Sequence, residues 1–127
     1  MQNYLNIARK AAEKSQEMFQ IGSCFVKSGR VFSTGFNSLN KSNALVREFF
    51  NYPTQHAEIS ALSKLDPASI KGGTMYVYRL RKSGKAGLSK PCPRCLVALR
   101  ALGIKRIVFS TDEEPGYAVM SPWEKAA

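Results

Sequence analysis

The sequence predicts an α/β fold, a sheet with helices packed on its faces, and three observations carry that expectation. Helical and strand patterns alternate in the order α-β-β-α-β-α-β, with a fifth short strand at the end. The first two strands are joined by Ser28-Gly29, a two-residue connection of hairpin type, so they pair antiparallel. In the later half each strand follows a helix, which is the connection that crossovers require.

Residues 3–18 set Tyr4, Ile7, Ala8, Ala11, Ala12 and Met18 three and four apart, with Arg9, Lys10, Glu13 and Lys14 mostly between them. That spacing predicts an amphipathic helix with one core-facing stripe. Ile21–Lys27 and Arg30–Phe36 are the two β-rich runs of the hairpin. Asn37 to Asn51 is a long connection containing Glu48-Phe49-Phe50, and long connections in compact domains tend to carry function or to move. Thr54 stands where it can cap a helix from about His56 to Leu65, which Asp66-Pro67 ends. Lys71-Gly72-Gly73 is a turn, Thr74–Arg81 a strand of β-formers, and Lys82 to Lys90, rich in Gly, Ser and Lys, a solvated loop. Cys92 to Leu102 reads as a helix closed by Gly103, and Ile104–Ser110 as a buried strand. Asp112 to Gly116 is too short for a crossover helix, so a strand at Tyr117–Met120 pairs antiparallel with the one before it.

A chain of 127 residues has room for one domain and one hydrophobic core. With 44% hydrophobic residues it is no disordered polycation, so a folded surface carries the formal charge of +10. Such a surface attracts anions, whether nucleotide phosphates or a polynucleotide. No apolar run is long enough to span a membrane, and the first residues lack a charged segment followed by an apolar one. The expected location is the cytoplasm. Three cysteines, two of them three positions apart, point to metal or thiol chemistry in a reducing compartment rather than to a disulfide scaffold.

The chemistry concentrates in His56-Ala57-Glu58 and Pro91-Cys92-Pro93-Arg94-Cys95, each at the start of an expected helix. Zinc prefers imidazole nitrogen and thiolate sulfur, and a catalytic zinc site uses three protein ligands and leaves a fourth position to water. His56, Cys92 and Cys95 supply one nitrogen and two sulfurs, which calls for one Zn2+ per chain. Two cysteines at a helix start can face one ion, and the helix dipole favours their thiolates. Glu58, two residues from His56, is poorly placed as a fourth ligand but well placed to take a proton from water and return it to a substrate nitrogen. Cys24, in the middle of an apolar strand, reads as a small buried hydrophobe.

This H-x-E and P-C-x-x-C pairing resembles the signature of zinc nucleobase deaminases, and the chain is similar to the cytidine deaminase-like superfamily over most of its length. The resemblance implies a three-layer α-β-α sandwich with a mixed five-stranded sheet and hydrolytic removal of a nucleobase amino group. Asn37, at the end of Gly35-Phe36-Asn37, looks like the strand-end asparagine that contacts sugar or base, and the Ala57 backbone like the group that meets the base edge. Phe50 and Tyr52 are candidates for a stacking face, and Arg79, Arg81, Lys82, Lys85 and Lys90 for contacts to phosphate or a single strand. His with two Cys fits the deoxycytidylate, tRNA-adenosine and polynucleotide branches, whereas the C-terminal hairpin resembles the nucleoside branch. Cytosine to uracil in a nucleoside or nucleotide is the expected reaction, with single-stranded DNA or RNA the alternative substrate. A silent zinc-containing nucleic-acid-binding module is a further alternative, disfavoured by the intact Glu58. The resemblance also implies a homo-oligomer.

Overall fold

A computed structural model describes residues 2–39 and 54–123. Helix α1 (Gln2–Ala12) leads into the hairpin of β1 (Gln20–Lys27) and β2 (Arg30–Phe36), followed by β3 (Ser38–Leu39). After β4 (Thr54–Gln55) come α2 (Ala57–Leu62), α3 (Pro67–Ile70), β5 (Thr74–Leu80), β6 (Ala86–Gly87), α4 (Pro93–Ala101), β7 (Arg106–Ser110) and β8 (Tyr117–Met120). The main sheet runs β2-β1-β5-β7-β8, with β5 and β7 parallel and the other neighbours antiparallel.

The hairpin turns where it was expected, because Ser28 and Gly29 both take positive φ, 53° and 72°, the geometry that suits the twist of paired strands. Alternation then sends side chains to two layers. Cys24, Val26, Tyr76 and Val108 pack with Leu5 and Ala8 of α1 on one face. Phe25, Met75, Val77, Ile107 and Phe109 pack on the other with Ala61 and Leu62 of α2 and Leu96 and Leu99 of α4. The result is the expected three-layer sandwich.

Several expectations need correction. The sheet has six strands, since β6 folds back antiparallel on β5 beyond the point where β7 stops pairing, so the segment read as one solvated loop is a polar tip on a short hairpin. The separate pair of β3 and β4 was not foreseen. Helix α1 ends at Ala12, not Met18: Ser15 Oγ accepts from the Glu17 amide and donates to the Asn37 carbonyl, starting a bend that leaves Met18 76% exposed. Thr54 sits in β4 instead of capping a helix, and Asp66-Pro67 opens the one-turn α3, with proline at its first position, after α2 has already ended at Leu62.

Candidate active site

The site lies at the carboxyl ends of the parallel pair β5 and β7, where open sheets of this kind leave a crevice. Helix α2 is fastened to the hairpin by two serines: Ser23 Oγ donates to the Ala57 carbonyl at 2.7 Å and Ser33 Oγ to the Ala61 carbonyl at 2.8 Å. Gly35 permits this approach, because a Cβ there would overlap the Ala61 nitrogen and the Ala57 carbonyl. The starts of α2 and α4 then meet through Ile59, Cys95 and Ala98, which brings two distant motifs to one point.

His56 occupies the N-cap position of α2 in an extended conformation and does not cap the helix with its side chain. Its imidazole faces the sulfurs instead: Nδ1 lies 3.1 Å from Cys95 Sγ and 3.8 Å from Cys92 Sγ. Cys92 is the N-cap of α4, its sulfur accepting from the Cys95 amide at 3.4 Å. The three donor atoms lie within 4.8 Å of one another, and among the described residues they form the one cluster of metal-ligating groups. Tetrahedral bonds of ordinary Zn–N and Zn–S length place nitrogen and sulfur about 3.5 Å apart, so the donor set fits zinc in both chemistry and spacing.

The electrostatics agree. Hydrogen bonding from the Cys95 thiol, helped by His56 and the Cys95 amide, pulls the Cys92 thiol down to about 4 against the effect of burial. Cys95 moves the opposite way, because it gives its proton toward Cys92 and is itself buried. The hydrogen bond with Cys92 and the negative charges of Glu58 and Cys92 raise His56, against burial. Glu58 is 4% exposed, and that burial pushes its carboxyl above the usual carboxylate range, opposed by its own backbone amide and by His56. A buried acid of raised pKa beside a metal site is suited to accept and return a proton.

His56, Ala57, Glu58 and Cys92 line a cavity of about 340 Å³, of a size for a small ligand, together with Asn37, Arg79 and Lys90. Arg81 and Lys82 lie outside its lining, exposed with Lys85 on the hairpin tip. Asn37 reaches the cavity, but Nδ2 donates to the Phe19 carbonyl at 2.7 Å and Oδ1 accepts from the Ile21 amide at 3.0 Å, leaving one amide hydrogen to face inward. Phe50 and Tyr52 lie outside the described residues.

Sequence reasoning missed Phe19, Leu88 and the buried Ser89 on the cavity wall, and the buried Ser110 bonded to Ser89. Ser110 Oγ lies 2.9 Å from Ser89 Oγ, accepts from the Arg79 amide and donates to the Gly87 carbonyl, while Ser89 Oγ donates to Val77. Nothing local in the sequence marks these serines, since their partners are far away in the chain. Cys24, in contrast, is the buried hydrophobe expected, with no exposed surface and a thiol pushed up to about 11 by burial.

Comparison with known proteins places this geometry. Residues 1–111 match the family described as the cytidine and deoxycytidylate deaminase zinc-binding region. A deoxycytidylate deaminase of Mycobacterium phage D29 is 29% identical over 128 residues, covering 86% of this chain and 92% of the relative. The mouse deoxycytidylate deaminase is 24% identical over 123 residues, 87% of this chain and 64% of that protein. Among solved structures, the dCMP deaminase of cyanophage S-TIM5 in complex with dCMP and dUMP aligns with a TM-score of 0.62 at 21% identity, covering 90% of this chain and 82% of that one. The family match stops short of β8, whose antiparallel pairing with β7 is as the sequence implied.

Proposed function

The chain belongs to the family of the cytidine and deoxycytidylate deaminase zinc-binding region, and from that premise we propose that it converts the cytosine of a nucleoside monophosphate to uracil, releasing ammonia. One observation supports this most: the buried Glu58, with His56 and Cys92 of the donor set that Cys95 completes, lines a cavity that also has Arg79 and Lys90 on its wall. The relatives' names point to the deoxyribose form.

His56, Cys92 and Cys95 hold zinc, which when bound supplies a Lewis acid that makes a water molecule nucleophilic near neutral pH. Glu58 takes a proton from the attacking water and gives it to the ring nitrogen. As the bond between the ring carbon and the exocyclic nitrogen breaks, Glu58 carries the second proton to the departing amine, so water is consumed and ammonia leaves. The Ala57 carbonyl is occupied by Ser23, so its amide is the group assigned to the base edge. The remaining Asn37 hydrogen is assigned to the sugar or base, and Phe50 and Tyr52, from the sequence alone, to the stacking face. Arg79 and Lys90 meet the phosphate.

The whole chain acts as one deaminase domain. Its unpaired cysteines suit a reducing cytoplasm, and no helix among the described residues is long and apolar enough to cross a membrane. A homo-oligomer, which the family resemblance implies, is part of the same proposal, and Val97 and Trp123 are apolar residues exposed to 50% and 70%. A second reading, favoured by Arg81, Lys82 and Lys85 standing exposed beyond the cavity, has the hairpin tip guiding a single strand.

Ammonia release over deoxycytidine, its monophosphate, cytidine monophosphate and cytosine- or adenine-containing oligonucleotides tests the proposal. Preference for a cytosine monophosphate is expected. Turnover confined to oligonucleotides, with affinity falling steeply with salt, would establish the second reading instead. Zinc bound with no turnover on any substrate would overturn both.

A further inference from the structure

Arg79 is constrained along its whole length. Its amide donates to the buried Ser110 hydroxyl at 3.0 Å. Its aliphatic stem crosses β6 at Gly87, where a Cβ would stand 3.0 Å from Arg79 Cδ, 3.2 Å from its Cγ and 3.1 Å from Arg81 Cγ, so a larger residue there presses on both stems. Its guanidinium carbon lies 4.5 Å from the centroid of the Phe19 ring. The ring in turn has a fixed base, because the Asn37 amide bonds to the backbone at Phe19 and at Ile21. Phe19 is 55% exposed, so core burial is not what sets its place.

Stacking engages the face of a guanidinium and leaves the N–H donors, which lie in its plane, pointing outward. Among the described residues the one ion pair is between Arg9 and Glu13, and no carboxylate of those residues lies within 4.0 Å of Arg79, although Glu17 lines the same cavity. A guanidinium resting on a ring, with no carboxylate of the described residues within 4.0 Å, keeps its donors available to an anion. Preorganisation of this kind raises affinity by removing the ordering cost of a long flexible side chain. We infer that Phe19 and Gly87 are positioning residues that aim Arg79 at the substrate phosphate and so set the preference for a nucleoside monophosphate over the free nucleoside. The inference rests on the nucleotide reading above.

Steady-state kinetics on deoxycytidine monophosphate and deoxycytidine, in zinc-loaded protein, tests it with Phe19→Leu, Phe19→Trp, Gly87→Ala and Arg79→Gln. The readout is the ratio of kcat/KM between the two substrates, with melting temperatures measured in parallel. Phe19→Leu keeps the apolar bulk and loses the ring, and the ratio is expected to fall about fivefold, mostly through KM for the monophosphate. Phe19→Trp restores it, and Gly87→Ala lowers it. If Arg79→Gln abolishes the preference while Phe19→Leu and Gly87→Ala leave the ratio at the wild-type value, the positioning role is wrong and the phosphate reading stands. Equal losses on both substrates in Phe19→Leu would also overturn the positioning role. A wild type without preference for the monophosphate overturns the phosphate reading, and the inference with it.

Discussion

The two faces of the sheet each bury a cysteine and each admit a helix over a glycine, yet one face is inert and the other holds the chemistry. Under α1, Cys24 is surrounded by Leu5, Ala8, Val26, Tyr76 and Val108, and with burial as the one influence on its thiol it is driven up to about 11. Under α2 and α4, Cys92 is partly buried too, but the Cys95 thiol and amide and His56 surround its sulfur and hold it down to about 4. Burial is common to both. Directed hydrogen bonds at the start of a helix make the difference, and they turn a packing atom into a metal ligand.

The widest separation of the faces is expected from Glu58→Gln. Loss of the proton carrier should lower kcat by about a thousandfold or more, while zinc stays near one per chain by metal analysis. Turnover close to wild type would remove Glu58 from the reaction.

The two glycines sharpen the comparison at the level of stability. A Cβ at Gly22 would overlap the Ala8 carbonyl and the Ala12 nitrogen of α1, and one at Gly35 the backbone of α2. Each alanine variant should lose about 3 kcal/mol in denaturant unfolding, since a helix must move away from the sheet. Only Gly35→Ala should also weaken zinc binding, by about tenfold in chelator competition, because α2 carries Glu58 and follows directly on His56. Equal zinc affinity in the two variants would show that the metal site does not depend on how α2 sits.

The smallest effect concerns pH. The Cys24 thiol has an ordinary value of 9.0 and about 11 in the fold, so the folded state keeps a proton that the unfolded chain loses first. Its contribution is complete below pH 9 and disappears as pH rises from 9 to 11, about 2.7 kcal/mol at most. Cys24→Ala should flatten that part of the stability profile relative to wild type. An unchanged alkaline slope would mean that the thiol titrates normally.

Much of this was legible in the sequence where the cause is local. The Ser28-Gly29 turn, the boundaries of β2 and β8, and the stop of α4 before Gly103 with its φ of 80° all follow from neighbouring residues. Local signals misled where a side chain had a distant partner. Ser15, which bends the chain away from α1, bonds to Asn37. Thr54 had the right type for a cap but was drawn into β4 by pairing with Leu39.

By itself the sequence determined the donor atoms and the acid, because ligand chemistry belongs to residue type and short spacing. A nitrogen, two sulfurs and a carboxylate within two motifs leave little choice of metal or reaction. Which of the many cations serve the site was decided by tertiary structure alone. The end of β5 at Leu80 and the fold-back of β6 put Arg79 on the cavity wall beside Phe19 and Gly87, while Arg81, of the same parity but past the strand's end, and Lys82 stay outside its lining. In sequence these cations stand together with only Leu80 between them, and only packing against a segment sixty residues away, or across a hairpin, gives one of them a direction.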